Sequence, residues 1–286
     1  QADCVGAAIF KDLENVLPLF VQEAGVGGIA LSFSQEDILC IRCNAELSGE
    51  WLLNELEMIA EKTDRFVVFD LKAQMEFLKI QRKDNCFDAT VAAYLLNPLK
   101  SDYTYEDVAR EQLDLILEDK TDLTTKVCYE AYTAYASSAK LEKRLKEDGL
   151  WSLFEEIEMP LVFTLYDMEK NGVKIEAEAL KLYGDQLGDK IVELEKEIYE
   201  DANETFNINS PKQLGVVLFE NMKIPGGRKT KTGYSTAADV LEKLAPEYPI
   251  VAKILEYRQL TKLKSTYADG LAGYIQEDGR IHGKFN

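Results

Sequence analysis

Residues 257–267 read Tyr-Arg-Gln-Leu-Thr-Lys-Leu-Lys-Ser-Thr-Tyr, and basic and hydroxyl side chains are interspersed there with apolar ones. At about 100° per residue on a helix, one apolar face consists of Leu260, Leu263, Tyr267 and Leu271. Arg258, Lys262 and Ser265 fall on the opposite face. Guanidinium, ammonium and hydroxyl groups contact phosphate oxygens without reading base sequence. The pattern predicts either a phosphate-binding stripe or an ordinary amphipathic helix with a solvated polar face.

Five blocks in the second half of the chain share the order and spacing of a known family. They lie at residues 158–161, 169–175, 206–214, 229–236 and 257–267. With these blocks the sequence resembles the bacterial DNA polymerase I type, family A. In such polymerases the blocks build the start of the polymerase domain and the thumb, which grips the duplex along its phosphate backbone. The resemblance implies a part in DNA replication and repair, with primer–template duplex DNA as partner, and we expect a monomer.

The resemblance also indicates which side chains would touch the DNA backbone. Asn207 and Asn209 match positions at which family members hydrogen-bond the template or primer backbone. A loop at residues 225–234 carries three cations beside glycines, and this loop and two helix starts can offer N–H groups to phosphates. The predicted DNA-binding residues are Asn207, Asn209, Arg228, Lys229, Lys231, Ser235, Arg258, Thr261, Lys262 and Ser265. No catalytic residue is predicted.

The charge distribution favours a local phosphate-binding surface over a general one. The 286 residues carry a formal net charge of −18, which would repel phosphates from most of the surface. Residues 206–286 nevertheless contain 12 Lys and Arg against 8 Asp and Glu. A positive balance confined to one end of an acidic chain is the pattern expected of a DNA-binding face.

Composition and length predict a two-domain cytoplasmic protein. With 46% hydrophobic residues the chain can form two cores. Five cysteines without a disulfide-like framework indicate a reducing compartment, and no apolar run approaches the roughly 20 residues that span a bilayer. Cys40 and Cys43 have zinc-like spacing but should point to opposite faces of a strand, and His282 is the only histidine. No metal site is therefore predicted.

The first half is predicted to be an α/β domain with a mixed sheet. Strands are expected at residues 5–10, 28–33, 38–42 and 66–70, and helices at 12–24, 50–62, 89–96 and 105–117. Strands separated by helices favour a parallel or mixed sheet. By resemblance, residues 1–149 occupy the place of a 3'-5' proofreading exonuclease domain, which has a ribonuclease H-like fold.

Most of the carboxylates that such an exonuclease needs are missing from the positions where the resemblance places them. Its chemistry requires carboxylates that hold two metal ions about 4 Å apart. The nearest match to the first motif is Asp12 with Glu14, although Asp12 fits better as the N-cap of a helix. Gln74 and Ala139 stand where the second and third motifs have aspartates. The resemblance therefore implies a vestigial, inactive domain that is retained as a structural platform.

Residues 150–286 are predicted to be the mainly α-helical start of the polymerase domain and the thumb. The boundary is expected at Gly149, a C′ glycine after a charged helix at 141–148. Helices are expected at residues 151–170 with a kink or break at Pro160, at 176–203, at 211–222, after a capping-box-like start at 236–239, and around 257. The helix at 176–203 has an apolar seam, so it is expected to form an antiparallel pair with the helix around Tyr257.

The favoured interpretation is the exonuclease-like domain and thumb of a DNA-directed DNA polymerase. In the family, the magnesium-binding palm and the fingers would follow residues 279–286, so polymerase activity and its need for magnesium are expected to belong to a longer parent. This chain alone is then inactive and needs no cofactor. One alternative is an active DnaQ-like 3'-5' exonuclease, which the missing carboxylates oppose. Another is a non-enzymatic acidic helical interaction module, which would show no salt-dependent DNA binding.

Overall fold

The computed structural model describes residues 3–10, 25–44, 46–118, 122–231 and 233–285. The chain forms two compact units, Gln1–Met168 and Glu169–Asn286. The first unit extends beyond Gly149, the predicted boundary, because Phe154, Met159 and Phe163 are buried in its core. The sequence signal at Gly149 marks the end of a helix, and the unit continues past it.

The first unit is built on a mixed five-stranded sheet. Its strands are β1 Cys4–Phe10, β2 Gly28–Ser32, β3 Ile38–Arg42, β4 Arg65–Val68 and β5 Cys86–Asp88. In the order β3-β2-β1-β4-β5, the first two pairs are antiparallel and the last two are parallel. The predicted mixed sheet is confirmed, although β5 has no counterpart among the predicted strands. The helix predicted at residues 12–24, with Asp12 and Glu14, lies outside the described residues.

Helices cover both faces of this sheet. They are α1 Gly49–Lys62, α2 Leu71–Gln74, α3 Ala89–Leu96, α4 Tyr105–Leu113 and α5 Leu123–Glu147. On one face, Ala8 and Ala30 form a small buried cluster with Val127 and Ala131 of α5. The other face belongs to the main core, which includes Leu52 of α1. Small residues on the strands thus let α5 lie close to the sheet backbone.

The end of α5 follows the motif predicted at Gly149. Gly149 has φ +71°. Its N–H donates to the Lys146 carbonyl at 3.2 Å, and the Leu150 N–H donates to the Leu145 carbonyl at 2.7 Å. These two bonds form a Schellman motif, in which the C′ residue is left-handed and glycine is favoured.

Pro160 produces its expected break as a widened helical turn. The helix runs as α6 Trp151–Leu153, a π-helical segment Phe154–Glu158, and α7 Met159–Asn171. Met159 N–H donates to the Phe154 carbonyl, one residue further back than in an α-helix. Because a proline ring clashes with the carbonyl four residues before it, the wider turn accommodates Pro160 without ending the helix.

The described part of the second unit is mainly helical. Its helices after α7 are α8 Ala177–Ala202, α9 Pro211–Val216, α10 Ala238–Leu244, α11 Pro249–Leu263 and α12 Gly270–Ala272. Two further π-helical segments occupy Val217–Asn221 and Lys264–Asp269. The antiparallel strand pairs are β6 Val173–Lys174 with β9 Arg280–Ile281, and β7 Lys229–Thr230 with β8 Gly233–Tyr234.

The predicted pairing of α8 with the helix around Tyr257 is present. Lys190 of α8 pairs with Glu256 of α11 at 2.7 Å. Lys253, earlier in α11, pairs with Glu197 and Asp201, later in α8, at 2.9 Å each. Since later positions on one helix meet earlier positions on the other, the two helices run antiparallel. Their shared core includes Leu194, Ile198, Ile250, Val251 and Ile254.

A histidine ties the end of the described chain to the last turn of α7. His282 Nδ1 lies 2.8 Å from the Glu169 carbonyl, and His282 Nε2 lies 3.0 Å from Asp278 Oδ2. Two acceptors for two ring nitrogens favour the imidazolium, so the hydrogen bond to Glu169 and that to Asp278 raise the pKa of His282. The same pair lowers the pKa of Asp278.

We expect this tie to be strongest in mildly acidic solution. A raised folded-state pKa means that the imidazolium stabilises the fold fully below the ordinary value of about 6.5 and less as pH rises through the folded value. Because His282 is the only histidine, a proton NMR titration of its ring should give a pKa above 6.5 directly. Asp278→Asn should lower that pKa, and an unchanged value in the variant would contradict the assignment.

Candidate nucleic-acid interface

Residues 207–210, here called the asparagine loop, are ordered by their own side chains. Asn207 Oδ1 accepts the Asn209 N–H at 3.0 Å, and Gln213 Oε1 accepts the Asn207 N–H at 2.7 Å. Ser210 caps α9 as predicted, with Pro211 at its first position. Asn207 and Asn209 are exposed while Ile208, between them, is buried. The loop therefore presents two amide side chains around an apolar anchor.

Residues 228–235, here called the cationic hairpin, contain the short strands β7 and β8 within the region predicted as a loop at 225–234. Arg228, Lys229 and Lys231 are all exposed. Arg228 lies 3.6 Å from Asp239, a surface pair that offsets part of its charge. Lys229 Nζ lies 5.8 Å from the centre of the Tyr234 ring. Of the three cations, Lys231 extends from the turn itself.

An aromatic contact fixes the base of the cationic hairpin. The rings of Tyr234 and Phe219 have centroids 5.1 Å apart. Gly227 packs closely against both rings, because a Cβ there would lie 2.7 Å from Phe219 Cδ1 and 2.9 Å from Tyr234 Cδ1. The Ser235 N–H closes the hairpin by donating to the Arg228 carbonyl at 2.8 Å. Glycine is thus needed at position 227 for close packing, and the sequence analysis did not predict this role.

Arg258 does not lie on an exposed stripe as predicted. It is half-buried, and its guanidinium donates to the Thr236 carbonyl at 2.7 Å, to Thr236 Oγ1 at 3.3 Å and to the Ile208 carbonyl at 3.4 Å. Burial lowers the pKa of Arg258, although an arginine stays charged at neutral pH. Within the described ranges no carboxylate forms an ion pair with it. Arg258 therefore binds protein carbonyls where the prediction had it binding phosphate.

Thr261, another predicted DNA-binding residue, also turns its polar group toward the protein. Its hydroxyl oxygen is shielded from solvent beside the Tyr257 hydroxyl. Tyr257 itself is buried and hydrogen-bonds the Asn209 side chain. Burial, and after it the charge of Glu195, raises the pKa of this tyrosine. Tyr257 was missed as a site residue, and its position next to Arg258 on the apolar side of a helix was the available signal.

The predicted helical faces fail beyond Leu263 because the helix changes its period. Segment 264–269 is π-helical, and its wider turn shifts every later side chain relative to a 100° projection. Tyr267 is 51% exposed instead of lying on the apolar face, and Ala268 is buried. Lys264 Nζ is held by Asp269 at 2.8 Å. Lys262 and Ser265 are exposed, as a contact with phosphate requires.

The predicted capping box at residues 236–239 is wrong. The N-cap of α10 is Ala237, which has no capping side chain, and Thr236 is buried. Because the Thr236 hydroxyl accepts a hydrogen bond from Arg258, it is oriented away from the helix start. The structure thus joins the asparagine loop, Thr236 and Arg258, while Lys262 and Ser265 lie further along the same helical run.

In the first unit, two carboxylates near the sheet, Asp88 and Glu130, have raised pKa values. Asp88 accepts the N–H groups of Leu71 at 2.7 Å and Thr90 at 2.8 Å, and burial raises its pKa to about 6. Burial, followed by the charges of Glu106 and Asp70, raises the pKa of Glu130 to about 7. Among the described residues, no three His, Cys, Asp or Glu side chains could hold one metal ion.

The positions that resemblance assigned to exonuclease aspartates differ in their surroundings. Ala139 is exposed on α5, so an aspartate there would face solvent. Gln74, at the end of α2, is half-buried with its Oε1 shielded from solvent. The α5 carboxylate that interacts with Asp70 is Glu130, earlier on the helix. Cys40 and Cys43 belong to different clusters, as expected for opposite sides of a strand.

None of the helices described is long and apolar enough to cross a lipid bilayer.

Residues 177–286 match a family model described as DNA polymerase family A. A DNA polymerase I of Bacillus subtilis is 40% identical over 268 residues, covering 86% of this chain and 29% of that protein. A DNA polymerase I of Geobacillus stearothermophilus is 38% identical over 250 residues, covering 81% of this chain and 28% of that protein.

A solved structure also resembles the whole chain. It is described as the POL domain of Pol1 from M. smegmatis in complex with DNA primer-template and dNTP. The TM-score is 0.77 at 25% sequence identity, and the match covers 100% of this chain and 49% of that one. The chain spans under a third of the length of the two curated relatives named above.

Proposed function

Because this chain belongs to the family A DNA polymerases, we propose that it supplies a duplex-gripping thumb and a nuclease-inactive proofreading-type domain to a DNA polymerase I. The second unit is the thumb, and it binds primer–template duplex through the phosphate backbone. The first unit is a ribonuclease H-like platform. DNA synthesis for replication and repair belongs to the longer polymerase.

The observation that carries the thumb assignment is the exposed cationic hairpin beside the asparagine loop. Lys229, Lys231, Asn207 and Asn209 present donors to solvent, and phosphate oxygens are acceptors only. Lys262 and Ser265 extend the surface along the helical run after Arg258. The primer–template named in the structural neighbour supports a duplex as the ligand.

We expect the 286-residue chain to bind duplex DNA weakly and with a strong dependence on salt. With three to four phosphates contacted, log K should fall against log salt with a slope of about −3 to −4, since each contact contributes about −0.9. Fluorescence anisotropy of a labelled duplex between about 50 and 200 mM salt measures this slope. Two duplexes of unrelated sequence should bind alike. Binding that is absent at low salt would favour the acidic interaction module instead.

The platform assignment is supported by the carboxylates in the described part of the first unit. Among these residues, no three His, Cys, Asp or Glu side chains are grouped so that they could hold one metal ion, and the exonuclease reaction requires such a group. Asp88 is committed to the N–H groups of Leu71 and Thr90. One observation favours the alternative, an active 3'-5' exonuclease. Asp70 is near enough to Glu130 for its charge to raise the pKa of Glu130.

Single-stranded DNA labelled at its 5' end should remain full length when incubated with the chain. We expect this result in magnesium and also in manganese, which is the more permissive ion for such sites. Denaturing gel electrophoresis over a time course provides the measurement. Progressive shortening from the 3' end that Asp70→Asn and Glu130→Gln abolish would instead establish the active exonuclease.

A further inference from the structure

We infer that Arg258 is a positioning residue that holds the two DNA-binding segments of the thumb in place without itself binding phosphate. This inference rests on the proposed function and adds a role that neither the sequence pattern nor the resemblance indicates. Its basis is the set of three hydrogen bonds from the guanidinium to Ile208 and Thr236.

The three acceptors belong to two segments that are distant in sequence. Ile208 lies in the asparagine loop, and Thr236 directly follows the cationic hairpin. A guanidinium is a planar fork with several fixed donors, so one side chain can hold both segments at a set separation. Ile208 and Thr236 are both buried, which shields these bonds from competing water.

The residues next to these anchors are those proposed to meet DNA. Asn207 and Asn209 flank Ile208, and Ser235 precedes Thr236. Ser235 in turn fixes Arg228 through its backbone hydrogen bond. Tyr257, adjacent to Arg258 on α11, adds a second tie to the asparagine loop through Asn209. Movement of the guanidinium would therefore be transmitted to donors in both segments.

The bonding of Arg258 also explains why a direct phosphate contact is the poorer assignment. Both terminal nitrogens of the guanidinium already donate within the protein. Binding a phosphate with them would release two buried carbonyls, and an unpaired buried acceptor is destabilising. Its positive charge still contributes to the potential of the surface, because no carboxylate among the described residues pairs with it.

Arg258→Lys separates the two roles, because it keeps the charge but loses the fork. A phosphate contact would survive in this variant, whereas the positioning role would not. We expect Kd for duplex DNA to rise about tenfold, with the slope against salt preserved. Thr236→Val, which removes only the hydroxyl, should have a smaller effect in the same direction. Lys253→Gln is the matched control on α11, since the partners of Lys253 lie on α8.

Hydrogen exchange supplies a readout that needs no DNA. In Arg258→Lys, the amides of Asn209, Ser210 and Ser235 should exchange about tenfold faster, while core amides of α8 keep their rates. Unchanged exchange in these amides, or duplex affinity equal to that of the wild type, would overturn the inference. If the wild-type chain binds no duplex at all, the proposed function fails, and the exchange result still decides whether Arg258 braces the two segments.

Discussion

Replacing Gly6 by alanine is expected to destabilise the first unit severely, and Gly6→Val should prevent it from folding. Gly6 lies in β1, where α5 crosses the sheet. A Cβ at this position would lie 2.2 Å from the Ala131 carbonyl oxygen and 2.5 Å from the Tyr135 nitrogen. Both are backbone atoms, so relief requires a shift of the helix itself. Overpacking typically costs about 1–3 kcal/mol, and we expect Gly6→Ala to reach or exceed about 3 kcal/mol.

Urea unfolding followed by tryptophan fluorescence gives the measurement. Trp51 and Trp151 are the only two tryptophans, and both belong to the first unit, so the signal is specific to it. Gly149→Ala is the matched control. It has open space around a Cβ but a φ of +71°, and should lose only about 1 kcal/mol. A Gly6→Ala midpoint equal to that of the wild type would mean that α5 does not contact β1 this closely.

The sequence predicted the elements whose signals are local. Residues 38–42 and 89–96 match the observed strand and helix, and the motif at Gly149 was recognised from glycine after a charged helix. Strand β5 was missed because three residues are too few for a period to show. Of α5, only residues 141–148 were predicted with bounds, because the buried positions between 131 and 138 are Ala, Thr and Ser, which give little hydrophobic contrast.

The interface was predicted in part, and the failures share a physical cause. Exposed loop cations and asparagines can be read from composition, since their position depends little on helical phase. Whether the Arg258 side chain faces solvent or the protein does depend on helical phase. Its helix is oriented by Ile250 and Ile254, which are buried upstream of the projected stretch, and by Tyr257, which is buried at its first position. A π-helical segment then changes the helical period after Leu263. No proline lies near this segment to indicate it in the sequence, whereas Pro160 closely follows the segment Phe154–Glu158.

Removing the three charges of the cationic hairpin should cause the largest loss of DNA binding. In the triple variant Arg228→Ala, Lys229→Ala and Lys231→Ala, we expect duplex affinity at low salt to fall between about tenfold and a hundredfold. The slope of log K against log salt should become shallower by about two units. Two units are expected instead of three because Arg228 is partly neutralised by Asp239.

A matched triple variant controls for net charge. Lys174, Lys181 and Lys196 are exposed in the same unit, and their replacement by alanine changes the net charge by the same amount. If binding depended only on the overall potential, both triple variants would lose the same affinity and the same slope. A localised interface predicts a slope close to that of the wild type for the control, because counterion release counts the phosphates contacted. Equal losses in the two variants would remove the cationic hairpin from the interface.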